Sequence, residues 1–380
     1  MSSSTESGWI DLRDRLIGNE SFQRWAARSP FFGWIVRRQS RRLFDLVAGF
    51  SYTQVLYALV KLGIVDSLRS HSRSIAQLVA LTGLTEERTR LLAKAGISLE
   101  LLEWRGRDQL GLGLLGKVLA ESEAIQSMVL HHADVYLDLA DPVALLRDPN
   151  PQTRLRRYWA YASNGQQREG GLGIDDVGDY SELMAASQPL VAQQVLDAYD
   201  FSGHRHLLDI GGGLGRFAQA VAQAHPQLQL SVFDLPAVAL AAEERLRGLG
   251  LSSRIACKGG DFFADPLPSG ADIVSLVRVL YDHPDDRAQA LLHRVADLLR
   301  QKGGGRLLIA EPMAQADGAP AMGDAYFGLY LLAMGGGRAR TPAELGAMLM
   351  EAGFDTIRVI KTAIPVQTGL LVADISPDRS

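Results

Sequence analysis

Glycines and carboxylates gather where predicted strands end in the second half of the sequence. The motif LLDIGGGLGRF covers Leu207 to Phe217, where an apolar strand ends at Asp209 and a glycine-rich loop opens a helix. Gly211 and Gly213 let the backbone approach a ligand, and a helix N-terminus favours a carboxylate or phosphate. A dinucleotide fingerprint needs glycine at the position of Arg216, so pyrophosphate binding is disfavoured.

The next two strands end on further acidic residues. Asp234, in VFDLP, follows the first glycine of the loop by about 23 residues, where a carboxylate can accept hydrogen bonds from both hydroxyls of a ribose. Asp261, in GGDFF, can accept from the exocyclic amine of adenine while Phe262 stacks on the base. A simple turn or helix-cap role is the alternative for Asp261. Together these positions predict an adenosine-containing ligand.

A third group of residues could bind or move a proton. Tyr281 and His283 follow one predicted strand in LYDHPDD, and Glu311 ends a later one. An ordinary tyrosine, with a pKa near 10, is mostly protonated at pH 7, whereas histidine titrates near 6.5. In an extended segment residues two apart point the same way, so His283 is expected to reach the site that Tyr281 faces. A pocket-wall Tyr281 and a surface-loop His283 are the alternatives.

These strand ends meet only if the strands share one sheet. From His206 the sequence alternates strand and helix, which predicts an α/β fold with a doubly wound, mostly parallel sheet and a ligand at the carboxyl ends. The predicted strands are His206–Ile210, Gln229–Phe233, Arg254–Lys258, Ala271–Val277 and Arg306–Ala310. The predicted helices between and after them are Leu214–Ala224, Ala237–Leu246, Asp285–Leu299 and Thr341–Ala352. Two late strands, Thr356–Ile360 and Gly369–Asp374, are expected to add an antiparallel edge.

The first half is predicted to be helical, with an arm at residues 1–42, a winged-helix-like domain at 43–178 and the catalytic domain at 179–380. The winged-helix pattern consists of helices Ser51–Leu62, Ile75–Leu81 and Glu86–Gly96, followed by a hairpin through Gly106 and Arg107. Its third helix mixes charges of both signs, which favours dimerisation or a substrate lid over DNA binding. Further helical patterns cover 124–146 and 153–163, and the glycine-rich residues 165–178 form a candidate hinge.

The arm combines arginines with large aromatic residues. These are Phe22, Trp25, Phe31, Phe32 and Trp34 with Arg24, Arg28, Arg37, Arg38, Arg41 and Arg42. This composition suits either a membrane interface or packing on a partner subunit. The longest apolar run, Leu46 to Val60, is shorter than the roughly 18 to 20 residues that span a bilayer, so no membrane-spanning segment is expected.

Composition narrows the class of protein. The 380 residues are 47% hydrophobic and 22% charged, which is typical of a globular fold. The net charge of −4 argues against nucleic acid as the main partner. Cys257 is the one cysteine, which excludes an internal disulfide and suits a reducing, cytoplasmic location; a secretory signal and a metal site are not expected.

The motifs GGGLG, FDLP, GDFF, RVLYDHPDD and GRLLIAEPM together resemble the class I S-adenosylmethionine-dependent O-methyltransferases that act on small molecules. The resemblance covers nearly the whole chain and implies a Rossmann-like catalytic domain, an N-terminal dimerisation domain and a homodimer. It also implies that Gly211 and Gly213 approach the methionine part, Asp234 the ribose, Asp261 and Phe262 the adenine, and Arg278 the amino-acid end of S-adenosylmethionine.

The chain departs from that family at the catalytic base. Most members have histidine where this sequence has Tyr281. They also flank the base with two glutamates; Glu311 matches one, but the other falls near Ala339, where there is no carboxylate. Strong deprotonation of the acceptor is therefore not expected, and Tyr281, His283 and Glu311 are the candidate catalytic residues.

Three longer stretches, LFDLVAGFSYTQVL, SLVRVLYDHPDD and GDAYFGLYLLAMGGGRARTP, resemble the subgroup that methylates hydroxyneurosporene-type carotenoids. That resemblance implies a tertiary hydroxyl acceptor, contact with the photosynthetic inner membrane, and an apolar pocket. The candidate pocket residues are Met184, Tyr326, Phe327, Tyr330 and Met334. The alternatives are a ring-methylating enzyme of bacteriochlorophyll synthesis, a phenolic O-methyltransferase, and a winged-helix regulator that senses a ligand.

Overall fold

The computed structural model describes residues 14–15, 17–29, 31–156, 188–315, 321–365 and 367–376. The chain divides into two compact units, Met1–Glu121 and Ser122–Ser380. The boundary predicted after residue 178, the candidate hinge at 165–178 and most of the helix predicted at 153–163 lie outside the described residues.

The first unit is mainly helical. Its helices are α1 (Glu20–Arg28), α2 (Gly33–Lys61), α3 (Ile64–Ser67), α4 (Ile75–Thr82), α5 (Glu86–Ser98) and α6 (Leu114–Glu121). Strands β1 (Arg73–Ser74), β2 (Leu102–Trp104) and β3 (Gln109–Leu112) form a small sheet in the order β1-β3-β2. Ser74 begins α4 with a capping box to Gln77, and the Thr85 hydroxyl caps α5. The predicted helices Ile75–Leu81 and Glu86–Gly96 and the hairpin are confirmed, whereas the winged-helix classification stays a prediction.

Helix α2 differs most from expectation, because it has 29 residues instead of the 12 predicted for Ser51–Leu62. By length and composition it could cross a membrane, and it is the one described helix that meets that test. The expectation that no segment is long enough to span a bilayer was based on the 46–60 run alone. It was wrong about the length of the helix, which begins at Gly33. Leu46, Phe50 and Phe44 are 81%, 75% and 71% exposed, so the other described residues of the first unit leave these apolar side chains largely uncovered.

The second unit contains a seven-stranded sheet in the order β6-β5-β4-β7-β8-β10-β9. Its strands are β4 (His206–Ile210), β5 (Gln229–Asp234), β6 (Ile255–Gly259), β7 (Ile273–Val277), β8 (Gly305–Glu311), β9 (Thr356–Ile360) and β10 (Gly369–Ile375). Strands β4 to β8 are parallel to one another, and β10 pairs antiparallel with both β8 and β9. The predicted doubly wound sheet and its antiparallel edge are confirmed, and they bring the carboxyl ends of β4, β5, β7 and β8 to one edge.

Helices cover both faces of this sheet. The helices of the second unit are α7 (Glu123–Asp138), α8 (Pro142–Arg147), α9 (188–198), α10 (Arg216–Ala224), α11 (Pro236–Gly248), α12 (Asp285–Gln301), α13 (Gly328–Met334) and α14 (Pro342–Glu351). The single helix predicted for 124–146 is wrong: α7 ends at Asp138, and Asp141 caps a new helix that has Pro142 in its first turn. A π-helical turn, Met322–Phe327, leads into α13, and sequence periodicity did not predict either element.

Two apolar clusters hold the sheet. Leu276, Leu291 and Ile309 belong to the cluster on one face, and Phe217, Val232 and Leu308 belong to the cluster on the other. Neighbouring residues Leu308 and Ile309 enter opposite clusters because side chains alternate along a strand. The central strands are buried on both faces, so their positions, and hence the residues at their ends, are rigidly set.

Candidate functional site

The glycine loop after β4 has the backbone shape that only glycine adopts easily. Gly211 and Gly213 have φ angles of 68° and 54°, in the left-handed region. A Cβ on Gly211 would come within 2.8 Å of Val279, which follows β7. The loop therefore lies directly against the neighbouring strand end, as a close backbone approach to a ligand requires.

Asp234 closes this loop from the end of β5. Its Oδ2 accepts a hydrogen bond from the Gly213 N–H at 2.8 Å, and its Oδ1 accepts from the Leu235 N–H at 2.7 Å. Burial raises the pKa of this carboxyl, and the two backbone donors oppose that rise. Each carboxylate oxygen has two lone pairs, so both can accept a further donor, as the predicted contact with a ribose requires.

Asp209, at the end of β4, is a buried carboxyl that the sequence did not single out as a candidate site residue. Its Oδ1 accepts from the Ser275 hydroxyl at 2.7 Å, while its Oδ2 has no hydrogen-bond partner among the described residues. Burial raises its pKa to about 7. A Cβ on Gly212 would lie 2.6 Å from that Oδ2, so the loop passes directly over a carboxyl oxygen that still needs a donor.

Asp261 and Phe262 lie beyond β6 as predicted, but Asp261 also has the alternative turn role. Its Oδ1 accepts from the Phe263 N–H at 2.8 Å, and its own N–H donates to Asp265. Phe262 lies 3.8 Å from the position of a Cβ on Gly211, so its ring borders the glycine loop. This placement is compatible with a stacked adenine, and the adenine contacts themselves stay a prediction.

The segment after β7 is a tight 3₁₀ turn, Leu280–Asp282, and not the extended strand end that was predicted. The difference matters because residues two apart in a turn do not share a face. The Tyr281 ring lies edge-on to Phe327 at 5.9 Å, whereas the His283 ring lies edge-on to Phe263 at 5.1 Å. The expected convergence of Tyr281 and His283 on one site is therefore wrong.

Tyr281 is buried and bonded to a cation. Arg278 has a φ of 60°, and its guanidinium hydrogen-bonds the Tyr281 hydroxyl. Burial raises the pKa of Tyr281 far above its ordinary value, and Asp282 adds to that rise. The phenol therefore keeps its proton at neutral pH. Because arginine only donates, the Tyr281 oxygen is the acceptor in this bond and its proton is available to another group.

Two buried carboxyls flank the turn. Glu311, at the end of β8, accepts from the backbone N–H of Tyr281 at 3.1 Å, and burial raises its pKa to about 7. Asp282 was not predicted as a site residue; burial raises its pKa well above the ordinary value, opposed by Arg278. Glu311 Oε1 and Asp282 Oδ1 have no partner among the described residues. The His283 ring instead packs edge-on against Phe262 and Phe263, and burial lowers its pKa to about 4.

Arg340 holds the Leu280–Asp282 turn through hydrogen bonds to its backbone. The side chain is 0% exposed, and it donates to the carbonyls of Leu280 and His283 at 2.8 Å each and to Asp285 at 2.9 Å. Gly337, with a φ of 87°, lies so close that a Cβ there would collide with the carbonyl oxygen of Tyr281. The GGGRARTP segment thus holds the 3₁₀ turn by contacts to its backbone, although it lacks the second glutamate of the family pattern.

Four predicted pocket residues lie together around the π-helical turn and α13, and Met184 lies outside the described residues. The Tyr326 and Tyr330 rings are stacked at 5.9 Å, and Phe327 and Met334 pack in the same cluster as Tyr281. Two histidines that the sequence did not indicate also lie here. His131 Nε2 is 2.9 Å from the Tyr330 hydroxyl, and His132 Nε2 is 2.8 Å from that of Tyr326.

The sheet, the glycine loop and the strand-end carboxylates define an α/β methyltransferase. The O-methyltransferase domain family matches residues 173–355. The chain is 41% identical to a demethylspheroidene O-methyltransferase of Cereibacter sphaeroides, covering 96% of this chain and 95% of that protein. A second protein with that name, from Rhodobacter capsulatus, is 36% identical over 97% and 91%. Human N-acetylserotonin methyltransferase, solved with S-adenosylmethionine, has a TM-score of 0.73 at 26% identity, covering 89% of this chain and 98% of that one.

This chain belongs to the family of S-adenosylmethionine-dependent O-methyltransferases. Its residues fit that cofactor on structural grounds. The left-handed glycines admit a close ligand, Asp234 has lone pairs for two hydroxyl donors, and the buried Asp209 Oδ2 lacks a donor. Asp234 is the residue expected to hold the ribose, and Phe262 the residue expected to border the base.

Asp234→Ala is expected to weaken cofactor binding by roughly 1 to 3 kcal/mol, because the ribose hydroxyls lose their charged acceptor. By calorimetry this corresponds to a Kd that is roughly fivefold to 150-fold higher. Asp234→Asn, which keeps one acceptor oxygen and the side-chain shape, is the matched control and is expected to lose less. An alanine variant that stays folded and binds the cofactor with unchanged affinity contradicts the ribose assignment.

Proposed function

We propose that this enzyme transfers the methyl group of S-adenosylmethionine to the tertiary hydroxyl of a hydroxy-carotenoid of the demethylspheroidene type. The identity of 41% to a demethylspheroidene O-methyltransferase, over 95% of that protein's length, carries the proposal. Two features of the site support it: a mainly aromatic and apolar cluster around Tyr281, and a tyrosine where a phenol-methylating relative would need a base. An elongated polyene is apolar except at its hydroxyl, so it suits such a lining.

The cofactor supplies an electrophilic methyl group, so the chain's own residues mainly position the acceptor. Tyr281, protonated and fixed by Arg278, donates to the acceptor oxygen and thereby orients it. A tertiary alcohol is too weak an acid to be ionised beforehand at neutral pH. Proton loss is therefore expected to accompany methyl transfer rather than precede it.

Tyr281→Phe is expected to lower kcat by at least about tenfold, roughly 1.4 kcal/mol, because the acceptor loses its orienting donor. His283→Ala is the comparison variant from the same segment: its ring packs on Phe262 and Phe263, so its effect is expected mainly on cofactor affinity. Single-turnover rates with a hydroxy-carotenoid in detergent, at saturating cofactor, separate the two. Equal kcat for wild type and Tyr281→Phe contradicts the orienting role.

We also propose a cytoplasmic homodimer formed through the first unit, with the arm in peripheral contact with the inner membrane. Support comes from the exposed apolar residues of α2, which a partner subunit would cover. Next to them, Trp25 and Trp34 are 57% and 56% exposed. Arg37, Arg38, Arg41 and Arg42 give the same segment a positive charge that attracts anionic lipid.

Replacing these four arginines with glutamine is expected to weaken binding to anionic phospholipid vesicles, since each basic residue contributes about 1 kcal/mol near such a surface. Activity on carotenoid in vesicles should fall more than activity on carotenoid in detergent. Light scattering of both forms serves as the control, and both are expected to be dimers. Unchanged vesicle binding contradicts membrane contact by the arm, and a monomeric wild type at micromolar concentration contradicts the dimer.

A further inference from the structure

Two consecutive histidines of α7 each hydrogen-bond a different tyrosine, and the two tyrosines are four residues apart in the sequence. The first pair is His131–Tyr330, with 2.9 Å between Nε2 and the hydroxyl, and the second is His132–Tyr326, with 2.8 Å. The tyrosine rings are nearly parallel, at 22°. The two bonds join residues 199 and 194 positions apart, so the pairs fasten α7 to the segment that carries the candidate pocket residues.

The protonation of both pairs follows from their surroundings. Tyr330 is 6% exposed and packs with Val135, Leu155 and Met334. Burial lowers the pKa of His131 to about 4 and raises that of Tyr330 well above 10. At neutral pH the imidazole is therefore uncharged, with one nitrogen lone pair, and the phenol keeps its proton. A tyrosine that donates to His131 Nε2 retains oxygen lone pairs that can accept a proton donor.

Tyr330 also lies beside the orienting tyrosine. Tyr281 and Tyr330 belong to one buried cluster, and the Phe327 ring is edge-on to both, at 5.9 Å and 6.3 Å. Electrostatic interaction with Tyr281 contributes to the raised pKa of Tyr330. A substrate hydroxyl that accepts a hydrogen bond from Tyr281 would therefore have a proton acceptor, the Tyr330 oxygen, in the same cluster.

We propose that the His131–Tyr330 pair takes up the proton of the acceptor hydroxyl, an inference that rests on the proposed function. The acceptor O–H donates to Tyr330, and Tyr330 passes its own phenolic proton to Nε2 of His131. As the O–CH₃ bond forms, the S–CH₃ bond breaks and its electron pair stays on sulfur. One positive charge is lost at sulfur and one appears on the imidazolium, so the net charge of the site is unchanged.

The other candidate bases are placed less suitably. The His283 ring packs on Phe262 and Phe263, and Glu311 bonds the backbone of the 3₁₀ turn. The charges that act on His131 come from His132, Asp134 and Asp138 on its own helix. The two carboxylates favour the imidazolium, but burial and His132 outweigh them, so His131 can take up the proton only once methyl transfer has made the acceptor oxygen strongly acidic. In this scheme Tyr330 is the catalytic residue and His131 acts through it as a positioning and proton-accepting residue.

His131→Gln separates proton uptake from packing, because the glutamine carbonyl can accept the Tyr330 bond but cannot take up a proton at neutral pH. We expect kcat to fall at least tenfold with KM and cofactor affinity little changed. His132→Gln alters the neighbouring pair and is expected to change KM more than kcat. A His131→Gln kcat within threefold of wild type overturns the proposal.

Two further readouts do not respond to a purely structural role. In His131→Gly, added imidazoles are expected to restore turnover, with rates that rise with imidazole basicity; rescue that is independent of basicity overturns the proposal. In the wild-type protein, ¹⁵N NMR of the imidazoles is expected to show His131 Nε2 without a proton, and a protonated Nε2 is the contradicting result. If wild type methylates a phenol and no carotenoid, the proposed function fails, and the same variants measured on that phenol test the pair separately.

Discussion

Arg340→Leu is expected to lower the unfolding free energy by about 3 to 5 kcal/mol, because it leaves the two buried carbonyls of Leu280 and His283 without their donors. For a unit of this size the shift in Tm is on the order of 10 °C. The kcat is also expected to fall at least about tenfold, since the Leu280–Asp282 turn that carries Tyr281 loses the donors that fix it. Thermal unfolding and single-turnover rates measure the two effects.

Arg338 offers a matched control, because it pairs with the same Asp285 from two residues away. Its side chain is 42% exposed and reaches neither carbonyl of the turn, so Arg338→Leu is expected to cost less than about 1 kcal/mol. Arg340→Lys keeps the charge but not the planar fork that contacts three acceptors, and should be intermediate. Equal losses in Arg338→Leu and Arg340→Leu contradict the assignment of Arg340 to the turn.

The unfolding free energy of wild type, relative to Glu311→Gln, is expected to fall by on the order of 3 kcal/mol as pH rises from 4 to 8. Burial raises the pKa of Glu311 from its ordinary 4.5 to about 7 in the folded chain. A group with a raised folded pKa contributes its full stability below the unfolded pKa and loses it as pH rises through the folded pKa. The shift from 4.5 to about 7, at 1.36 kcal/mol per pH unit, sets the magnitude.

The comparison with Glu311→Gln is essential because buried histidines change the unfolding free energy with pH in the opposite direction. The pKa of His131 and of His283 is lowered to about 4 by burial, so these residues favour unfolding below about pH 6.5. They are present in both proteins and cancel in the difference. Denaturant titrations at several pH values give that difference, and a constant value from pH 4 to 8 contradicts a neutral, buried Glu311.

The sheet was predictable because each strand is a short apolar run bounded by polar or glycine residues. Strand β4 has the predicted bounds, and Asp234 and Glu311 are at strand ends as expected. In a doubly wound sheet, a polar residue at the end of an apolar strand already indicates a site. The position of the cofactor residues therefore follows from local sequence.

The catalytic surroundings were less predictable because they depend on contacts between distant segments. Nothing local shows that Arg340 is fully buried, since its three acceptors lie 55 to 60 positions away. The His131 and His132 bonds span still greater separations. The 3₁₀ turn also replaced an extended segment, which changed the direction of His283. Helix α2 was also predicted too short. Most of its apolar residues are exposed, so its sequence lacks the regular apolar stripe that normally marks the full length of a helix packed on a core.

Incubation of the purified protein with methyl-labelled S-adenosylmethionine and a demethylspheroidene-type hydroxy-carotenoid, with products identified by mass, tests the central claim most directly. We expect one labelled methyl group per carotenoid, at the ether oxygen of the former tertiary hydroxyl, and a lower initial rate of labelling when Asp234→Ala replaces wild type at a cofactor concentration below its raised Kd. Labelling of a small catechol, or of a tetrapyrrole ring carbon, with no labelled carotenoid contradicts the account.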